Sequence, residues 1–178
     1  MSSKYKVTAM ATREIRSIAK MFRKHCGLQN CEWVPVITIL EKIMEKIYPE
    51  FEWSIVSEDE MSEEGKTYPG TNEIKIRQDV YINACNGDGR ARFTIMHEIG
   101  HFILHSTPRI ALCRLEKGEK LPAYEDPEWQ ANTFAAECLM DIDIVRGMDF
   151  LQISEMCGVS WSAAQTRVNK LKGGNKCN

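Results

Sequence analysis

Residues 97–105, HEIGHFILH, constrain the fold of this chain more than any other stretch of its sequence. Three of the four histidines lie in it, as His97, His101 and His105. Residues four apart on an α-helix project from nearly the same face, one turn apart. The stretch GDGRARFTIMHEIGHFILHS therefore predicts a helix that follows a glycine-flanked turn, with an apolar face and a line of histidines.

Helix geometry decides which of these histidines can share a metal ion. His97 and His101 are one turn apart and can both reach an ion at about 2.0–2.1 Å. A rise of about 1.5 Å per residue places His105 about 12 Å along the axis from His97, too far for one ion to bind all three. The pair His101 and His105 has Phe102 where the other pair has Glu98. We therefore expect His97 and His101 to be the ligands, with His105 as a supporting or packing residue.

The position of Glu98 completes an HExxH pattern, in which the glutamate acts as general base toward a metal-bound water. The spacing differs from that of the metzincins, whose third histidine lies ten residues after the first. Because a five-residue pattern recurs by chance, HExxH alone leaves open an ordinary surface or core histidine pair. It also leaves open a zinc domain that senses or sequesters without cleaving, which Glu98 at the base position disfavours.

A third ligand must come from elsewhere, because a catalytic zinc site takes three protein ligands and one water. The segment DPEWQAN offers Glu128 in the first turn of a predicted helix, with Asn132 one turn later. Asn132 can accept a hydrogen bond from the distal nitrogen of a ligating histidine and so fix its ring. Glu137 is the rival ligand, but it lies farther along the helix among apolar residues.

Bulk composition excludes several classes of protein. The net charge of −2 and the pI of about 6.1 give no sign of a general affinity for nucleic acid or an anionic membrane. No apolar run approaches the length of a membrane span, and the first twenty residues have no apolar signal region. The seven cysteines include no CxxC pair. They predict free thiols in a reducing, cytoplasmic setting.

The remaining pattern predicts an α+β fold, mostly helical, with a small antiparallel β-sheet beside the HExxH helix. Helices are expected over 9–26, 35–48, 79–87 and 125–141, strands over 51–56 and 72–76, and loops over 57–70 and 106–125. Asp126 is the expected N-cap of the helix that carries Glu128, and Pro127 its first residue. We divide the chain into a domain over 1–142 and a C-terminal helical segment over 143–178 packed on it.

The C-terminal segment suggests an alternative function. ISEMCGVSWSAAQTRVNKLK resembles a helix-turn-helix, with Arg167, Lys170 and Lys172 on the second helix. The chain would then be a DNA-binding regulator with a non-proteolytic zinc site. Direct nucleic-acid binding is disfavoured because the chain is acidic and lacks a second basic patch.

Two long motifs carry a resemblance to a known family. RARFTIMHEIGHFILH, followed by YEDPEWQANTFAAECLM, resembles the ImmA/IrrE family of zinc metallopeptidases, over roughly residues 35–172. The resemblance implies a zincin-like fold with a gluzincin-like site, in which Zn²⁺ is bound by His97, His101 and Glu128 and Glu98 is the catalytic base. Asp141 and Cys138 depart from the residues usual in the family, and neither departure affects the site.

The resemblance also implies a substrate. Family members are intracellular and commonly encoded by prophages or mobile elements, and they cleave a helix-turn-helix repressor to relieve repression. We therefore expect a cytoplasmic zinc endopeptidase with a protein substrate and no membrane partner, in an oligomeric state that the sequence leaves open. The strand NEIKI is expected to hold an extended substrate by strand addition.

The group that stabilises the transition state is not fixed by these motifs. Tyr124 is the candidate that we retain. His105, Arg90 and Arg92 are the other candidates.

Overall fold

The computed structural model describes residues 5–106, 113–114 and 121–174. The predicted helices are present, with ends that differ from the predicted ends by a few residues. The α-helices are α1 (Thr12–His25), α2 (Val36–Thr38), α3 (Met44–Ile47), α4 (Gln78–Cys85), α5 (Gly89–His105), α6 (Pro127–Leu139), α7 (Ile142–Val145), α8 (Phe150–Cys157) and α9 (Trp161–Gly174). A π-helical segment, Ile39–Ile43, joins α2 to α3, and a 3₁₀ turn, Ala123–Glu125, precedes α6.

Five strands form two small sheets among the described residues. They are β1 (Tyr5–Lys6), β2 (Glu52–Val56), β3 (Gly65–Tyr68), β4 (Glu73–Arg77) and β5 (Cys113–Arg114). β1 pairs with β5 in an antiparallel two-stranded sheet, and the other sheet has the order β2-β4-β3. β4 alternates as a half-buried strand should, with Ile74 and Ile76 fully buried toward α5 and the helical layer.

The three-stranded sheet corrects two predictions. The sheet is mixed rather than antiparallel, because β2 pairs parallel with β4 while β3 pairs antiparallel with it. The acidic segment 57–70 is not all loop, since it contains β3. The chain leaves β2 through the acidic segment, runs along β3 and turns back at Asn72, whose φ of 54° is left-handed. β4 then lies between β3 and β2, and this crossover makes β2 and β4 parallel.

The central position of β4 also corrects the predicted substrate strand. NEIKI forms β4, and both of its edges are already paired, with β2 on one side and β3 on the other. An added strand needs an unpaired edge. In the described sheet, β3 has such an unpaired edge, and β3 also contacts α5.

Helix α6 begins as predicted and packs closely on α5. The Asp126 side chain accepts a hydrogen bond from Glu128 N, and Pro127 is the first helical residue. Gly100 allows the two helices to approach, since a Cβ there would lie 3.0 Å from Phe134 Cδ1 and 3.2 Å from Ala131 O. This close packing places the first turn of α6 beside the histidines of α5.

The C-terminal helices are fixed to the body of the protein by buried polar contacts. Arg167 of α9 is 4% exposed and forms two hydrogen bonds, of 2.7 and 2.8 Å, with the Glu137 carboxylate of α6. Arg16 of α1 binds the same carboxylate at 2.9 and 3.0 Å. The two-helix prediction is confirmed over α8 and α9, with Gly158 between them in a left-handed conformation. The division of the chain at residue 142 stays a prediction.

Parts of two predictions lie outside the described residues. The loop predicted over 106–125 contains β5 and the 3₁₀ turn, while residues 107–112 and 115–120 are not described. Five cysteines in the described part of the chain are free thiols, as predicted: Cys26, Cys31, Cys85, Cys138 and Cys157. No helix in the described ranges has both the length and the apolar character that a membrane crossing requires.

Candidate metal centre

Three side chains from α5 and α6 converge at one point. His97 Nε2 and His101 Nε2 are 3.0 Å apart. The Glu128 carboxylate oxygens lie 3.5 Å from His97 Nε2 and 3.4 Å from His101 Nε2. In the part of the chain that the structure describes, these three residues form the group of potential metal ligands whose donor atoms all lie within 4.8 Å of one another.

The spacing of these atoms fits a small tetrahedral ion. Ligands held at about 2.0–2.1 Å in a tetrahedron are separated by roughly 3.3 Å, close to the separations found here. Two imidazole nitrogens and one carboxylate are also a donor set that a catalytic zinc site uses, with one position left for water. The three residues can therefore hold a metal ion.

The hydrogen bonds behind His101 fix which of its nitrogens is free. The Gln130 amide nitrogen lies 2.8 Å from both Thr8 O and Tyr124 O, and donates both of its protons to these carbonyls. Gln130 Oε1 therefore accepts, and its partner at 3.1 Å is His105 Nε2. His105 Nδ1 lies 3.1 Å from His101 Nδ1.

When His105 is neutral, only one placement of the protons on the ring nitrogens satisfies this chain of contacts. Its burial, and then the neighbouring His101, lower the pKa of His105 to about 4, so the ring is neutral at pH 7. His105 then carries its proton on Nε2 and accepts through Nδ1 from His101 Nδ1–H. His101 Nε2 is left with a free lone pair that faces His97 and Glu128.

A single contact orients the other histidine. His97 Nδ1 lies 3.1 Å from Asn132 Oδ1, one turn after Glu128 on α6. An amide oxygen only accepts, so His97 Nδ1 donates, and in the neutral ring Nε2 carries the lone pair. With both rings in the neutral form that binds a metal, two lone pairs and a carboxylate face one another. Three acceptors at this separation repel one another, so a proton or a metal ion among them is stabilised.

The electrostatics at the centre favour a positive charge. Burial lowers the pKa of His97, but the Glu128 and Glu98 carboxylates outweigh it and raise this pKa overall. The adjacent His101 and His97 hold the pKa of Glu128 well below its usual range, so Glu128 is a carboxylate at neutral pH.

Glu98 is held by strand β3 from the other side. Its side chain is 6% exposed. The Thr67 hydroxyl lies 2.7 Å from Glu98 Oε2 and 2.9 Å from the Glu98 carbonyl oxygen. Its one proton goes to the charged carboxylate, the stronger acceptor. Gly65, two residues earlier on the same strand face, leaves the space for Glu98, since a Cβ there would lie 2.8 Å from Glu98 Cγ.

The other candidate residues lie in different surroundings. Glu137 is bound by two arginines, as described above. Arg92 is buried and donates to the Gly158, Val34 and Cys157 carbonyls. Arg90 is exposed and pairs with Glu64 at 2.6 Å.

His105 and Tyr124 are the remaining candidates for transition-state stabilisation. Both ring nitrogens of His105 are engaged by His101 and Gln130. Tyr124 is half exposed and lines a groove with Thr12 and Trp129. A role for Tyr124 in the reaction stays a prediction.

Three residues around the site were missed from the sequence. Gln130 had a usable signal, because it lies between Glu128 and Asn132 in the same short segment of α6. Thr67 and Gly65 had no signal in the sequence, because their closeness to Glu98 depends on the pairing of β3 with β4.

An HExxH helix joined by a glutamate from a later helix defines the chain as an HExxH metallopeptidase. The profile of the IrrE N-terminal-like domain, Peptidase_M78, matches residues 51–169, about two-thirds of the chain, and the chain belongs to this family. The predicted resemblance to ImmA/IrrE metallopeptidases is therefore confirmed over that range. A comparison with curated proteins found no match.

Proposed function

We propose that this protein is a zinc endopeptidase of the cytoplasm that cleaves a helix-turn-helix repressor of a prophage or mobile element. His97, His101 and Glu128 bind the zinc ion, and Glu98 is the general base. The observation that carries the proposal is the convergence of three acceptor atoms beside Glu98 of the HExxH helix. The family supports the peptidase reaction, and the repressor is the substrate that the resemblance suggests.

The bound ion supplies Lewis-acid chemistry at the scissile carbonyl. Glu98 takes a proton from the attacking water and delivers it to the leaving amine. Thr67 holds Glu98 Oε2, which leaves Oε1 to exchange the proton. Asn132 and the His105–Gln130 pair keep His97 and His101 oriented with their Nε2 atoms toward the ion.

An extended substrate can reach Glu98 along the edge of β3. This strand lies at the edge of its sheet and contacts α5. Backbone pairing to an edge strand binds a peptide in an extended form with little dependence on its side chains. Strand β3 thus takes the role that the sequence assigned to NEIKI.

Co-expression with the helix-turn-helix repressor encoded beside the gene tests the proposal. The wild type should cleave the repressor at one site, and Glu98→Gln should leave it intact while retaining bound zinc. The substitution keeps the size of the side chain and removes the base. Cleavage by Glu98→Gln at the wild-type rate would overturn the assignment of Glu98, and an intact repressor with the zinc-loaded wild type would overturn the substrate.

The DNA-binding alternative finds less support. Arg167, one of the three basic residues on the helix-turn-helix-like segment, is buried against Glu137 and is not available to a phosphate. Lys170 and Lys172 remain exposed on α9.

A further inference from the structure

A groove starts beside the metal centre and runs away from it between three helices. It encloses about 640 Å³. Helix α5 contributes Phe93 and Thr94, α6 contributes Asn132 and Ala136 with its C-cap residue Met140, and α9 contributes Ala163. The proposed ligands and base do not line it, so it is a separate feature of the surface.

The groove is continuous with the centre along both helices. On α6, Asn132 lies one turn after Glu128, and Ala136 and Met140 continue the same face at four-residue intervals. On α5, Thr94 lies about one turn before His97. Asn132 belongs to both features, because it lines the groove and contacts His97 at 3.1 Å.

The third wall is held rigidly in place. The two hydrogen bonds from Arg167 to Glu137 fix the middle of α9 against α6. At the start of α9, a Cβ on Gly89 would lie 2.5 Å from the Val159 carbonyl carbon and 2.6 Å from Ser160 N. The turn before α9 therefore packs directly on the backbone of α5, and the groove is formed before any ligand arrives.

The less exposed part of the groove lining favours an apolar side chain. Phe93, Ala136, Met140 and Ala163 give it an apolar surface, and none of these four is charged or able to donate a strong hydrogen bond. The exposed lining residues are polar or charged, namely Arg90, Ser162, Thr166 and Lys170, while the buried Arg167 is bound to Glu137. Transfer of an apolar side chain from water to this part of the groove is favourable.

Helix dimensions set the distance of this groove from the scissile bond. Asn132, Ala136 and Met140 lie roughly 6, 12 and 18 Å along α6 from Glu128, at about 1.5 Å per residue. An extended peptide advances about 3.3 Å per residue. For a substrate whose chain continues from the edge of β3 along α6, the groove therefore spans about the second to the fifth residue from the bond that is cut.

We propose that this groove is a specificity subsite of the peptidase, which rests on the peptidase function proposed above. It takes a leucine- or methionine-sized side chain of the substrate, two to five residues from the scissile bond and on one side of it. Helix α9, the second helix of the helix-turn-helix-like segment, then serves as a wall of the substrate groove.

A peptide library made from a digested, unfolded proteome tests the subsite. Zinc-loaded wild type is incubated with the library, and mass spectrometry gives the residues around each cut. The test variant is Ala163→Phe, which fills the groove. Its matched control is Gln165→Phe, which adds the same ring to an exposed position on the other side of α9.

The wild type should show leucine, methionine or phenylalanine enriched at one position within the predicted span. Ala163→Phe should lower the cleavage of peptides with these residues at least tenfold relative to peptides with alanine there, while Gln165→Phe matches the wild type. The same peptides should bind zinc-loaded Glu98→Gln, measured by fluorescence anisotropy, and bind at least tenfold more weakly when Ala163→Phe is added. If Ala163→Phe does not fold, Thr166→Phe at the exposed mouth of the groove replaces it.

The outcomes separate the subsite from the reaction. Cleavage by the wild type with no preference in that span, or an unchanged preference in the groove-filling variant, overturns the subsite and leaves the peptidase function standing. A library that is neither cut by the wild type nor bound by Glu98→Gln overturns the subsite, whereas the proposed function is overturned only if the zinc-loaded wild type also leaves the repressor intact.

Discussion

The hydroxyl of Thr67 lies 2.7 Å from Oε2 of Glu98, and so an edge strand holds the proposed base of the HExxH helix. The two residues are 31 positions apart and belong to different layers of the fold. Thr67 stands on β3 and Glu98 on α5, so the position of the carboxylate depends on sheet and helix together. This contact and the relay behind His101 are the features from which the following predictions come.

Removing the Thr67 hydroxyl should lower kcat and leave KM near its wild-type value. Thr67→Val keeps the shape of the side chain but no longer holds Glu98 Oε2, and loss of such a supporting hydrogen bond typically costs about 10–100-fold in activity. Steady-state kinetics on a cleaved peptide measure the effect. Thr67→Ser should restore most of kcat, and a valine variant with full kcat would show that the contact does not orient the base.

A side chain at Gly65 should disturb Glu98 directly. The Cβ of Gly65→Ala would lie 2.8 Å from Glu98 Cγ, so the carboxylate must move. We expect roughly tenfold or greater loss of cleavage with zinc stoichiometry unchanged, since activity depends on near-contact geometry. Gly70→Ala in the same hairpin is the control, because nothing lies within 4 Å of its added Cβ. Equal activity of the two alanine variants would contradict the prediction.

The proton positions in the histidine relay can be read directly by ¹⁵N NMR of the metal-free protein. With only four histidines in the chain, we expect His101 to carry its proton on Nδ1 and His105 on Nε2. The opposite tautomers would overturn the relay. Consistent with its supporting role, His105→Phe should weaken zinc binding by about 10–100-fold. His25→Phe, on the exposed surface of α1, should leave zinc affinity unchanged.

The buried carboxylate of Glu137 should contribute to stability and not to catalysis. Glu137→Gln leaves Arg167 buried without its charged partner, and loss of one member of a buried pair costs about 3–5 kcal/mol in the free energy of unfolding. Urea titration at pH 7 measures this loss. Glu63→Gln, in an exposed pair with Lys66, should stay near the wild-type stability.

The pH dependence of that loss follows from the pKa of Glu137. Burial would raise this pKa, but Arg167 and Arg16 outweigh it and hold it below its usual range. A carboxyl whose folded pKa is lowered stabilises the protein above its unfolded pKa of about 4.3, and the stabilisation is lost as pH falls through the folded pKa. The gap between wild type and Glu137→Gln should therefore narrow below about pH 4. A gap independent of pH would contradict the ionic role.

The helices could be predicted because their signals are local. Ile15, Ala19 and Phe22 repeat at the helical period and are buried, and Asp126 with Pro127 starts α6 as expected. The proposed ligands could be chosen for a similar reason, since His97 and His101 are separated by one helical turn.

What could not be predicted depends on contacts between distant segments. Strand β3 has the polar sequence GKTY and forms because it pairs with β4, so both β3 and the mixed character of the sheet were missed. Arg167 looked like a surface charge on a recognition helix, and only the packing of α9 on α6 brings it to Glu137. The positions of the protons on the His101 and His105 rings likewise depend on Thr8 O. This carbonyl accepts from the Gln130 amide, although the two residues are more than a hundred positions apart.

The most direct test of the proposed centre is a crystal structure of the zinc-loaded protein with anomalous scattering recorded at the zinc edge. One ion should lie about 2.0–2.1 Å from His97 Nε2, His101 Nε2 and a Glu128 oxygen. His105 should remain bound to Gln130 and His101. An ion on the two histidines without Glu128, or on His105, would contradict the account.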